Sequence, residues 1–177
     1  MPDPPINLIN NYASTSDVLI SFLWDPPQDD GGSPILDYAV YYNQGSASNV
    51  WVVLDENEVN AFYQTTVALV AGETYAFKVT ARNAVGRSDY SAEIQILAAK
   101  EPDAPISLAE ISGLSTATQI GFSWQDGAYD GASPILDYSV SFRLSGATAY
   151  QVYASGLTSK DNILTGLTVG STYEVVV

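Results

Sequence analysis

The chain has 177 residues, 20 acidic and 6 basic, for a formal charge of -14, and it contains neither cysteine nor histidine. That excludes thiol nucleophiles, disulfides, thiolate or imidazole zinc sites, and every triad whose base is an imidazole. So acidic a surface repels phosphate backbones and anionic headgroups, which argues against nucleic-acid and membrane-surface binding. A hydrophobic fraction of 46% suffices for a core. No run nears the roughly 20 apolar residues of a membrane helix, and the start shows no targeting signal.

Following Pro2-Asp3-Pro4-Pro5, the first alternating run sets Val18, Ile20, Phe22 and Trp24 against Leu19, Ser21 and Leu23. That period of two predicts a strand. Asp25-Pro26-Pro27 through Gly31-Gly32 forms a turn, and Tyr38, Val40 and Tyr42 make the next run. Turn residues from Asn43 to Ser48 and at Ala71-Gly72 come before the run Tyr75, Phe77, Val79 and Ala81, and Asn83 to Ser88 closes it. Prolines and charge then interrupt the pattern from Ala98 to Pro105.

Beyond that joint the sequence repeats itself. Ser33-Pro34-Ile35-Leu36-Asp37-Tyr38 recurs letter for letter as Ser133-Pro134-Ile135-Leu136-Asp137-Tyr138, an offset of 100 residues. Trp24 and Trp124 share the offset, as do Phe22 and Phe122. Gly72-Glu73-Thr74-Tyr75 answers Gly170-Ser171-Thr172-Tyr173 at an offset of 98, and Val175 and Val177 continue that last strand. The chain is read as a tandem duplication, with modules over 2–99 and 105–177 joined by 100–104. Short strands, frequent turns and no useful amphipathic helix predict an all-β chain in which each copy is a sandwich or a barrel.

These residues resemble the fibronectin type III module. The first copy carries an early proline, Trp24, a Pro/Asp/Gly loop into Pro34-Ile35 and Tyr38, Leu69-x-x-Gly72-x-x-Tyr75, and Ala81-x-Asn83-x-x-Gly86-x-Ser88-x-x-Ser91. The resemblance implies two immunoglobulin-like sandwiches in series, each with strands A, B and E facing strands C, C', F and G. Trp24, Tyr38, Tyr75, Trp124, Tyr138 and Tyr173 are then fold residues. Each indole buries roughly 150 to 250 Å², worth about 4 to 6 kcal/mol. Tyr75 and Tyr173 take the place of the tyrosine corner, where the phenol bonds backbone a few residues upstream.

The second copy ends where Val177 matches Val79, without a last strand, so strand F is expected to carry an open edge. Either the natural chain continues, or another copy completes that edge. Asp25, Asp29, Asp30 and Asp130 crowd the B–C loops, and Glu101 and Asp103 the joint. Oxygen-rich loops can hold calcium, but Asp, Gly and Pro are also what tight turns use, and no calcium-loop spacing is present, so no metal or cofactor is expected. Paired carboxylates acting on a glycoside would need a cleft that slim sandwiches rarely offer, so catalytic residues are not expected. Gly86-Arg87-Ser88-Asp89 lies where some relatives present Arg-Gly-Asp, in the wrong order. The Trp-Ser-x-Trp-Ser signature and any Asn-x-Ser/Thr sequon are absent.

The copies differ on one face. The first is expected to turn Leu19, Leu23 and Phe62 outward on the A–B–E sheet, whereas the second has Gly121, Ser123 and Gln125 in strand B. An outward apolar cluster on an acidic module points to contact with another module or chain. The functional expectation is a non-enzymatic structural or adhesive pair, a spacer or protein-binding segment, extracellular or at the cell surface, with its partners proteins. The alternatives are an accessory region of a larger receptor or enzyme, or a cytoskeletal giant.

Overall fold

The computed structural model describes residues 1–45 and 50–177. The turn expected over residues 43 to 48 therefore lies partly outside the described residues. The chain divides into two compact units, Met1–Glu101 and Pro102–Val177. Among the described residues every regular element is a strand, so no helix is long and apolar enough to cross a membrane.

In unit 1 the strands are β1 (Ile6–Asn10), β2 (Ser21–Asp25), β3 (Ile35–Tyr42), β4 (Val52–Glu58), β5 (Phe62–Gln64), β6 (Thr74–Asn83) and β7 (Ile94–Leu97). They pair antiparallel as β1-β2-β5 and β4-β3-β6-β7, the A–B–E and C'–C–F–G sheets of the fibronectin type III arrangement. Unit 2 repeats this with β8 (Ile106–Glu110), β9 (Gln119–Gln125), β10 (Tyr138–Leu144), β11 (Gln151–Leu157), β12 (Asp161–Thr165) and β13 (Tyr173–Val176). Its sheets run β8-β9-β12 and β11-β10-β13, so β13 is an outer strand.

Alternation along each strand sends one set of side chains between the sheets. In unit 1 these include Phe22, Trp24, Tyr38, Val40, Tyr75, Phe77 and Ile96, and in unit 2 Phe122, Trp124, Tyr138, Val140 and Leu164. The two indoles thus occupy separate cores. Each meets a tyrosine ring near a right angle: Trp24 and Tyr38 at 5.4 Å and 72°, Trp124 and Tyr138 at 5.5 Å and 68°. Both indole N–H groups are buried with no hydrogen-bond acceptor, so these rings serve the core by area and edge-to-face packing.

The tyrosine corners form in both units. The Val70 amide donates to the Tyr75 hydroxyl at 2.8 Å, and the Thr168 amide to the Tyr173 hydroxyl at 3.0 Å. Tyr75 is buried, whereas Tyr173 on the outer strand is half-buried. Gly72 and Gly170 precede these strands with φ of 82° and 78°, a left-handed turn that suits a residue without Cβ.

Strand β6 runs ten residues but pairs β7 only over Thr74–Phe77. Two serines satisfy its far half. Ser91 and Ser88 donate backbone N–H to the Val79 and Ala81 carbonyls at 2.9 and 2.8 Å. Their hydroxyls accept from the amides of the same two residues at 3.0 and 2.9 Å, and donate to the Ala92 and Asp89 carbonyls. The Ser-x-x-Ser spacing therefore caps a buried strand edge that would otherwise hold unpaired amides.

Candidate protein-contact faces

Unit 1 presents two outer sheet faces of different chemistry. On the three-stranded sheet, Leu23 of β2 pairs with Phe62 of β5 on one side and with Ile9 of β1 on the other. Ile9, Leu23 and Phe62 are 59%, 41% and 46% exposed, so one apolar row crosses the whole sheet. A bulge between Ile6 and Ile9, with Asn7 at φ 54°, sets this register, which sends Leu8 to the core and Ile9 outward. The same row in unit 2 reads Ala109, Ser123 and Asp161.

Leu19 lies elsewhere. It precedes β2, in a turn where its amide donates to the Ser16 hydroxyl at 3.2 Å and its carbonyl accepts from the Ser16 amide at 2.7 Å, and it is half-buried. Val18, read from alternation as inward, is 65% exposed. The two-residue period extended the strand too far, because the Ser16 turn ends the extended backbone before Ile20. Ile9 was the member of the row that alternation in strand B could not supply, since it comes from a neighbouring strand.

The four-stranded face of unit 1 is aromatic, with Lys78 and Arg82 paired to carboxylates. Tyr41 of β3 lies between Val53 of β4 and Lys78 of β6. The Lys78 ammonium sits 4.0 Å from the Trp51 ring centre and 6.0 Å from that of Tyr90, and 3.7 Å from the Glu93 carboxylate. Tyr90 meets Tyr41 edge to face at 5.0 Å and is 52% exposed. Four residues further along β6, Arg82 grips the buried Asp37 through two guanidinium nitrogens, while Arg87 donates to the Thr80 hydroxyl at 3.1 Å. The Arg82 hydrogen bonds hold the Asp37 carboxyl below its usual range, although burial pushes the other way. The register of β3 on β6 is what gathers these groups.

Unit 2 builds smaller clusters. Arg143 lies 4.4 Å from the Tyr150 ring centre and 2.7 Å from Glu174, whose carboxyl it lowers. Asp126 accepts from Lys160 and from the Tyr138 hydroxyl, and its carboxyl too falls below the usual range, chiefly through Lys160. A groove of about 280 Å³ lies between β8 and β13, lined by Leu108, Phe122, Tyr173 and Val175 with Glu110 at its rim. In unit 1 β7 fills the equivalent strip, paired with β6 beside β1.

The loop carboxylates serve turns. Asp29, Asp30 and Asp130 accept from the amides of Gly31, Gly32 and Ala132 at 2.8 to 3.0 Å, and Asp25 accepts from the Asn7 amide side chain. Among the described residues, no three carboxylates come together as a metal cage.

Comparison with known proteins agrees with this architecture. The family model described as "Fibronectin type III domain" matches residues 3–97. The chain is 31% identical over 152 residues to neural cell adhesion molecule 1-A of Xenopus laevis, covering 84% of this chain and 13% of that protein. It is 29% identical over 142 residues to cardiac-type myosin-binding protein C of Homo sapiens, covering 80% and 11%. The crystal structure of titin domains A168–A170 superposes with a TM-score of 0.50 at 25% identity, over 55% of this chain and 32% of that one. The chain thus spans about a tenth of the length of these curated relatives. With its two sheets per unit, its paired indole cores and its tyrosine corners, the chain belongs to the fibronectin type III family.

Proposed function

We propose that this pair of modules is a non-catalytic structural and adhesive segment, acting at the cell surface as a spacer that binds other proteins through its sheet faces. The observation that carries the reading is the apolar row of Ile9, Leu23 and Phe62 across unit 1, placed where unit 2 has Ala109, Ser123 and Asp161. Single exposed apolar side chains are ordinary, but a row spanning three strands is a contiguous patch of the kind that marks contact sites. The cell adhesion relative supports the surface setting. A cytoskeletal setting is the second reading, favoured by the myosin-binding relative and the titin likeness.

As a spacer the segment has to bear load. Tension on unit 1 must strip β1 from β2 and β7 from β6 before the core opens. Single-molecule extension should therefore show a discrete force peak for unit 1. Its contour gain is about 290 Å, from residues 6–97 at roughly 3.5 Å each less a folded span of about 30 Å. Featureless extension without such a peak would remove the structural reading.

A further inference from the structure

We infer that Asp130-Gly131, in the loop between β9 and β10, is a site of spontaneous isomerisation to isoaspartate, from which the matching Asp30-Gly31 of unit 1 is shielded. Aspartyl-glycyl pairs are prone to this reaction because glycine has no Cβ to hinder its amide. The Gly131 nitrogen attacks Cγ of Asp130 in its acid form, the amide proton and the carboxyl hydroxyl leave as water, and a five-membered succinimide closes. One water then opens the ring at the main-chain carbonyl. The backbone now runs through Cβ, one methylene longer, with mass and formal charge unchanged. The chain has three such pairs, Asp30-Gly31, Asp126-Gly127 and Asp130-Gly131, and the fold treats each differently.

The two B–C loops follow the same course. Gly31 and Gly131 take left-handed φ of 68° and 78°, the Asp30 and Asp130 carboxylates accept from the amides two residues on at 2.8 and 3.0 Å, and both aspartates are exposed. They differ at the preceding residue. Asp29 accepts the Gly31 amide at 2.8 Å, so that nitrogen attacks only after this bond breaks. Its counterpart is Tyr129, whose ring is too long to close such a turn, and among the described residues no acceptor meets the Gly131 amide. Gly131 is also buried, so water does not take the acceptor's place, while the exposed Asp130 carboxyl stays open to protons. Asn83 adds to the shielding of Asp30 by holding its carbonyl at 2.5 Å. Asp126 is spared for another reason. Lys160 and the Tyr138 hydroxyl occupy its two oxygens and favour the carboxylate over the acid form that reacts, and Gly127 lies against Asp103.

The folded protein is aged in mildly acidic buffer made with oxygen-18 water, and peptide mapping by mass spectrometry follows label uptake and isoaspartate at each pair. Isoaspartate is expected first at Asp130, with Asp30 slower by about fivefold, the worth of one ordinary hydrogen bond. Unfolded in guanidinium, the three pairs should age alike, because all share glycine as the next residue. Tyr129→Asp and Tyr129→Asn each restore an acceptor for the Gly131 amide and should slow Asp130 by about fivefold, the asparagine showing that the hydrogen bond protects and not the added charge. Asp29→Tyr should quicken Asp30. Circular dichroism establishes that each variant is folded. Asp130 ageing no faster than Asp30 in the folded protein overturns the inference, as does a Tyr129→Asn chain whose Asp130 ages at the wild-type rate. Should the Tyr129 variants fail to fold, Asp29→Tyr decides alone: an unchanged rate at Asp30 overturns the shielding by Asp29.

Discussion

Replacing Ser91 by alanine removes the hydroxyl that accepts the buried Val79 amide at 3.0 Å, and replacing Ser88 does the same for Ala81 at 2.9 Å. Neither amide has a strand partner to fall back on, because β7 pairs β6 only as far as Phe77. An orphaned buried N–H costs about 1 to 3 kcal/mol. For a module of this size each kcal/mol moves the melting temperature by about 4 to 8 °C, so either single variant should melt about 4 to 24 °C lower. The effect belongs to unit 1 alone. Calorimetry should show the unit 1 transition moving while the unit 2 transition, from a separate core, stays in place. Amide exchange gives a sharper readout: Val79 in Ser91→Ala, and Ala81 in Ser88→Ala, should lose about tenfold protection per ~1.4 kcal/mol. A Ser91→Ala protein with an unchanged transition and an unchanged Val79 exchange rate would refute the claim that the hydroxyl completes the ladder.

Other outcomes follow from the same geometry. Tyr75→Phe deprives the Val70 amide of its acceptor, and should lower unit 1 stability by about 1 kcal/mol in chemical denaturation, the low end because Val70 is exposed and water can replace the phenol. Phe22→Ala, in a fully buried site against Trp24 and Phe77, should cost about 3 to 5 kcal/mol and leave the unit 2 transition unmoved. Asp37 has its carboxyl lowered by Arg82, so its contribution is complete above the unfolded carboxylate value and is lost as pH falls through the lower folded value. Melting temperatures against pH should therefore fall on the acid side in the wild type and fall less in Asp37→Asn. Leu23→Ser, at a solvent-facing position, should change stability by no more than about 0.5 kcal/mol, which separates its contact role from folding.

The duplication and the sandwich were legible because each rests on residues that cannot move without breaking a core. Trp24 and Tyr38, and their copies at Trp124 and Tyr138, must meet between two sheets, so their spacing recurs. The Ser-x-x-Ser run was visible as a pattern, but its work as an acceptor for β6 amides was not, since that depends on where β7 stops. Alternation runs strand B three residues too long, because a turn closed by the Ser16 hydroxyl leaves the alternating pattern intact while ending the strand.

Local order along this chain is determined by its sequence alone: period-two runs, glycine turns and aromatic anchors set two copies of an all-β module, since alternation puts one set of side chains on a face that must be buried. Which surface groups stand together was decided only by the tertiary structure. Ile9 joins Leu23 and Phe62 because a bulge sets the β1 register, and Tyr41 joins Lys78, Trp51 and Tyr90 because strands distant in sequence lie side by side. Faces are made by pairing across strands, and a linear pattern holds one strand at a time.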